Sequence, residues 1–313
     1  MPSTDLEQSI IRTLCWFSIS ARPVTGFEIW KWLIDPARAY DLSEVYRVIN
    51  SSEWVRSRMI EQGGFYVIGG AAKPLMSFEG LRETRSKNYM NAVKKFYKLR
   101  RAMKYFRLFS SVYAVGAVNS IAWWNTNEQS DIDLFVITKP GSIWSTRFWM
   151  VLPFILFGVR PGASKQDPFC FSFFVSHDAL ALEHLRFPEG DHEFTFWLKS
   201  LVPLYDRGEE FRVLTHANPW ANHALPNVSS RYVHPLHQSS SCLPAGKAPV
   251  PTLPPLEPLY RSIQRKRFPL AIRQLENKDS RVVINDQLLK FHVTDRRAEF
   301  EKTYQELIQK MIA

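Results

Sequence analysis

Val115 to Thr138 reads VGAVNSIAWWNTNEQSDIDLFVIT, and its centre is Ser130-Asp131-Ile132-Asp133-Leu134-Phe135-Val136-Ile137. Successive side chains of a strand point to opposite faces, so Asp131 and Asp133 leave one face while Ile132 and Leu134 leave the other. From Leu134 to Ile137 the chain is wholly apolar, the pattern of a strand covered on both sides. The acids thus stand where a buried strand opens into a cleft. Two carboxylates held side by side repel each other. A hard divalent cation, Mg²⁺ or Mn²⁺, shared with the phosphates of a substrate is the usual neutralising partner. Asp131 and Asp133 are therefore read as metal ligands and catalytic residues of metal-assisted phosphoryl chemistry.

Asn119-Ser120 stands eleven residues before Asp131 and follows the small and apolar Val115-Gly116-Ala117-Val118. This pattern predicts the end of one strand and a tight turn, where a hydroxyl and free N–H groups hold phosphate. The expected nucleotide and phosphate contacts are Asn119, Ser120 and Ser130. At these residues the chain resembles the nucleotidyltransferase superfamily, the fold of DNA polymerase beta, the antibiotic nucleotidyltransferases and the small bacterial MNT-type proteins. Those proteins carry Gly-Ser, a spacer, and then Asp-x-Asp or Asp-x-Glu on a strand. Over most of its length the chain also looks like a group of bacterial nucleotidyltransferase-domain proteins. The shared features are an N-terminal helical domain, SDIDLFVIT, a PLYDRG-like segment, here Pro203 to Gly208, and a late KFHxxDRR segment, here Lys290 to Arg297. The resemblance implies phosphate contact by Ser120 and Mg²⁺ ligation by Asp131 and Asp133. It also implies transfer of a nucleoside monophosphate from a nucleoside triphosphate to an acceptor.

Where relatives carry glycine, this chain has Asn119. The resemblance also implies a third acid on a later strand. The candidate strand, Phe169 to Val175, offers only Cys170 and Ser172 as polar side chains, while Asp167, Asp178 and Asp206 flank strand ends. The alternative function is therefore a catalytically inactive regulator or adaptor that binds nucleotide or nucleic acid on the same fold.

With 313 residues, 45% hydrophobic and 22% charged, the composition is that of a soluble globular chain of two or three domains. Cys15, Cys170 and Cys242 are far apart and odd in number, which points away from a zinc site or disulfide framework and toward a reducing cytoplasm. Met1 to Glu7 lacks the basic region of a secretory signal. Phe148 to Val159, FWMVLPFILFGV, is twelve residues long and contains Pro153, too short to cross ~30 Å of hydrocarbon. It is predicted to be a core helix, and no membrane partner is expected.

The net charge of +10 is concentrated: residues 82 to 107 hold ten basic side chains against Glu83 alone. This long amphipathic helix is the candidate contact for nucleic acid or for the triphosphate. Residues 1–78 look like a winged-helix unit, with capping boxes at Thr4/Glu7, Thr25/Glu28 and Asp41/Glu44 and a short strand at Phe65 to Ile68. Its third helix is expected to run from Asp41 almost to Gly63, with more acids than arginines, a poor pattern for DNA.

Residues 79–217 form the expected nucleotidyltransferase domain, in which Ala179 to His184 and Glu193 to Leu201 read as helices. Arg147, opening the helix after the catalytic strand, is a further phosphate candidate. Residues 218–260 hold nine of the twenty prolines and read as a linker. Residues 261–313 read as a helical C-terminal region. The expected class is α+β: a mixed sheet of the nucleotidyltransferase fold with flanking helices, after a winged-helix-like domain.

Overall fold

The computed structural model describes residues 3–69, 78–162, 166–228 and 256–312. Most of the proline-rich stretch, residues 229–255, lies outside the described residues.

Local capping sets the first elements. Thr4 and Glu7 close a reciprocal box at the start of α1, Asp5–Ile19, and Thr25 and Glu28 do the same after β1, Val24–Thr25, at the start of α2, Gly26–Lys31. Glu44 accepts from the Asp41 N–H at 2.8 Å where α3, Leu42–Ser51, begins. The chain does not stay helical to Gly63. Ser52 ends α3 in extended geometry and caps a single turn, α4, Glu53–Arg56. β2, Met59–Gln62, then turns through Gly63 and Gly64, both at positive φ, into β3, Phe65–Ile68. The three strands pair antiparallel in the order β1-β3-β2.

The basic helix is α5, Phe78–Phe106, and it leads into β4, Val112–Ala117, the single turn α6, Asn119–Ala122, and β5, Ile132–Thr138. α7, Ile143–Leu156, carries the chain over one sheet face to β6, Phe169–Ser176, which lies parallel to β5 as such a crossover requires. Pro153 inside α7 has no N–H to give the Trp149 carbonyl. The Tyr105 hydroxyl of α5 donates to that carbonyl instead, at 2.7 Å. The expected helix at Ala179 to His184 is two 3₁₀ turns, His177–Ala179 and Glu183–Leu185. Next come α8, His192–Ser200, β7, Val202–Asp206, α9, Glu210–Ala217, and α10, Pro219–Ala224.

The C-terminal region departs from the helical expectation. Between α11, Glu257–Lys266, and α12, Leu270–Leu275, on one side and α13, Arg297–Ile312, on the other lies a hairpin, β8, Val282–Ile284, and β9, Leu288–Phe291. Asn285 shapes its turn by accepting from the N–H groups of Gln287 and Leu288. β9 pairs with β6, so the molecule is α+β with a mixed six-stranded sheet in the order β7-β4-β5-β6-β9-β8.

The sheet is covered on both faces. Ile132, Leu134 and Val136 pack with α5, α7 and Tyr260 of α11, whereas Phe135 and Ile137 pack with α8, α9 and α10. From Ile132 onward the expected alternation is the observed one, whereas Asp131 lies just before the strand. A third cluster joins α1 to Phe196 of α8 and to Tyr304 and Met311 of α13, so the N-terminal unit shares a core with the C-terminal helix. Among the described residues no helix is long and apolar enough to cross a membrane.

Candidate functional site

Asp133 is the second residue of β5, opposite Cys170 on β6, and its carbonyl accepts from the Val118 N–H at 3.2 Å. This pairing sets the Asn119-Ser120 turn directly beside the acid. Asn119 has φ +59°, the left-handed conformation that a glycine would adopt freely and that asparagine tolerates best among the other residues. Its side chain hydrogen-bonds the Asp133 carboxylate, as does the Cys170 thiol. Burial nevertheless pushes the Asp133 carboxyl up to about 6, with Asp131 adding to the rise. Asp131 is also raised by burial, against the pull of Lys95.

Lys95 is one of the ten basic side chains of residues 82 to 107 and was not singled out by the sequence. It is buried in α5, where its ammonium lies 2.6 Å from Asp167 and donates to the Ser130 carbonyl at 2.6 Å. Lys98 also pairs with Asp167. The signal was present in the spacing: Ala92, Lys95, Phe96, Leu99 and Met103 fall on one helical stripe. Together the two lysines neutralise Asp167, and Lys95 alone also holds the loop that carries Asp131.

The other expected contacts are brought to the same place. Ser120 is half-buried on the turn, and its hydroxyl makes no hydrogen bond among the described residues. Ser130 precedes Asp131, but its hydroxyl is engaged with Asn127 in a tight turn. Trp123 packs against Trp32 and Phe196, and Trp124 against Phe96 and Tyr89, so both serve as packing groups. Arg147 is not beside the acids. It is buried in α7, stacked on Phe268 and Phe291 and bonded to Gln264.

No acid stands next to Asp133 on β6. The Cys170 thiol, pushed up by burial, bonds Asp133 and Ser172, and the Ser172 hydroxyl lies 3.3 Å from His292 Nε2. Burial drives His292 down to about 3, which keeps its ring neutral. Asp178 and Asp206 lie at the far end of the strands, since Ser176 pairs with Thr138 and Asp206 with Ala114, the partner of Ile137. Asp206 there caps α9, accepting from the Glu210 and Phe211 N–H groups. Among the described residues no three His, Cys, Asp or Glu side chains gather as a metal cluster.

The KFHVTDRR segment finds its place here. β9 and the loop after it form one wall of a cavity of about 230 Å³ that opens beside Asn119 and is closed by Glu193 and Trp197 of α8 and Phe300 of α13. Arg297 is buried and fully engaged, with Asp191 at 2.6 Å, Asp295 at 2.8 Å and the Ser280 hydroxyl at 2.7 Å. Lys290 is buried and donates to the Ser280 carbonyl. Burial and the nearby Asp191 push the Glu193 carboxyl up to about 7.

Comparison with family models, curated proteins and solved structures finds no match to this chain.

Proposed function

We propose that the chain is a metal-dependent nucleotidyltransferase, moving a nucleoside monophosphate from a nucleoside triphosphate to an acceptor. The observation that carries the reading is the placement of Asp131 and Asp133 at the opening of β5, one strand away from the left-handed Asn119-Ser120 turn. The donor set fits Mg²⁺ or Mn²⁺. Two desolvated carboxylates with no third protein ligand among the described residues suit a cation that a phosphate group helps to hold, because Mg²⁺ keeps several positions for water and substrate oxygens. Asp131 and Asp133 would hold the ion, which supplies charge neutralisation at the phosphates when bound. Asn119 orients Asp133, the free Ser120 hydroxyl contacts phosphate, and Lys95 steadies the loop that carries Asp131. In-line displacement asks chiefly for such positioning.

The order of elements in residues 5–68, α1-β1-α2-α3-α4-β2-β3 with the three short strands paired antiparallel, supports a winged-helix reading of that unit. Lys94, Lys98, Arg101 and Lys104 are exposed on α5 and remain the candidate contact for a polyanion. The unpaired Cys15 and Cys170 suit a reducing compartment.

One observation favours a second reading. Cys170, Ser172 and His292 occupy the row where a third acid is expected, which suits a non-catalytic nucleotide-binding adaptor on the same fold. Calorimetry with the four nucleoside triphosphates and Mg²⁺ tests the site. Binding should require the metal and vanish in Asp131→Asn plus Asp133→Asn, and pyrophosphate release separates enzyme from adaptor. A wild-type chain that binds no triphosphate sinks both readings.

A further inference from the structure

We propose that the cavity beside Asn119 is the acceptor site, that its occupant is a hydroxyl-rich small molecule with an apolar face, such as a sugar ring, and that the Glu193 carboxylate takes the proton of the attacking hydroxyl. This rests on the nucleotidyltransferase reading above.

The first argument is continuity. Asn119 bonds the Asp133 carboxylate and also lines the cavity. A second connection runs from Asp133 through Cys170 and Ser172 to His292, another lining residue. The cavity therefore adjoins the two aspartates by two independent side-chain routes. At about 230 Å³ it has room for several waters or one small ring.

The second argument is which groups remain free to meet a ligand. The cations of the wall are committed: Arg297 to Asp191 and Asp295, Lys290 to the Ser280 carbonyl, and Arg296 to Glu299. Glu193 makes no hydrogen bond among the described residues, and the Nδ1 atom of His292 likewise has none. A carboxylate is a hydrogen-bond acceptor, so Glu193 selects a ligand rich in donors and disfavours phosphate or carboxylate beside it, while the neutral His292 ring offers one further polar contact. Trp197 and Phe300 supply aromatic wall, and the Trp197 indole N–H has no partner among the described residues. An apolar ring face with hydroxyls at its rim fits this lining.

The third argument concerns the proton. An acceptor hydroxyl that attacks the α-phosphorus must lose its proton, and the β6 row beside Asp133 offers no carboxylate for it. Glu193, across the cavity, supplies one. The balanced step forms the bond from the acceptor oxygen to the α-phosphorus and breaks the bond from that phosphorus to the bridging oxygen. The proton passes to Glu193, and pyrophosphate leaves with the electron pair of the broken bond.

The test uses the full chain, Mg²⁺, the four nucleoside triphosphates, and glycerol, methyl glucoside and glucosamine as probe acceptors, reading pyrophosphate release and triphosphate affinity separately. Glu193→Gln should keep triphosphate affinity and the thermal melt while losing release by about 100-fold, the usual share of a general base. Added formate should restore release in Glu193→Ala. Unchanged release in Glu193→Gln overturns the assignment of Glu193 and leaves the nucleotidyltransferase reading standing. Wild-type chain that binds triphosphate but transfers to none of the probes overturns the proposed acceptor class. Wild-type chain that binds no triphosphate overturns the reading on which the proposal rests.

Discussion

The Lys95 ammonium, fully buried in α5, lies 2.6 Å from the Asp167 carboxylate just before β6 and donates to the Ser130 carbonyl just before β5. One side chain thereby clamps the two loops that open the candidate site. Lys95→Met strips Asp167 of one of its two lysines and leaves the Ser130 carbonyl without its donor. Breaking a buried pair from one side costs about 3 kcal/mol. Urea unfolding of Lys95→Met should show a loss of that order. A loss below about 1 kcal/mol, the range of surface pairs, would mean that the clamp is not structural.

Asp133 is predicted to cost stability when no cation is present. Its folded pKa stands at about 6 against the ordinary 3.8, so the folded state holds a proton that the unfolded state has already released. Stability relative to acid conditions is lost as pH rises from about 3.8 to about 6 and stays lost above that. Asp133→Asn in chelator at pH 7 should therefore melt higher than wild type, by the equivalent of about 1–3 kcal/mol. A lower melt would show that the desolvated carboxylate is compensated.

His192 gives the opposite sign. It stands 2.9 Å from Glu301 of α13 and 3.4 Å from Asp35 of the N-terminal unit. Burial pulls its pKa down, but the bonds to Asp35 and Glu301 outweigh burial and raise it from 6.5 to about 9. The resulting stability is present in full below pH 6.5 and fades as pH climbs toward about 9, by up to about 3 kcal/mol. The urea midpoint of wild type should fall across that window, whereas that of His192→Gln should stay nearly flat. Parallel curves would exclude His192 as the linked group.

Tyr105 and Pro153 should be coupled. The Tyr105 hydroxyl satisfies the Trp149 carbonyl that Pro153 leaves without its helical donor. Tyr105→Phe should cost about 1 kcal/mol in the wild-type helix, and less once Pro153→Ala restores the N–H. A double-mutant cycle measures the difference, and zero coupling would contradict the substitution of one donor for the other.

Much of the local structure was legible in the chain. The capping boxes at Thr4, Thr25 and Asp41 join residues three apart, so the sequence contains the whole interaction. The face carried by Asp133, opposite to that of Ile132 and Leu134, follows from the two-residue period of a strand and needs no partner to be deduced. The short supply of acids on Phe169 to Val175 was equally plain, because it depends on residue identity alone. Where α3 ends was less plain, since Ser52 leaves the helix to cap α4 in a run whose apolar spacing stays helical.

The rest depended on pairings that no local pattern encodes. Val282 to Phe291 contains a hairpin that completes the sheet only because β6, more than a hundred residues earlier, presents Phe173 to Lys290. The KFHVTDRR segment had no readable role until that pairing set His292 beside Ser172 and its loop beside Asn119. Lys95 was one basic residue among ten in its segment until folding brought Asp167 and Ser130 to it. Local hydrogen bonds and side-chain periodicity act over a few residues and are written in order along the chain. Strand register, the desolvation of a charge and the walls of a cavity are set by groups distant in sequence, and those the tertiary structure decided.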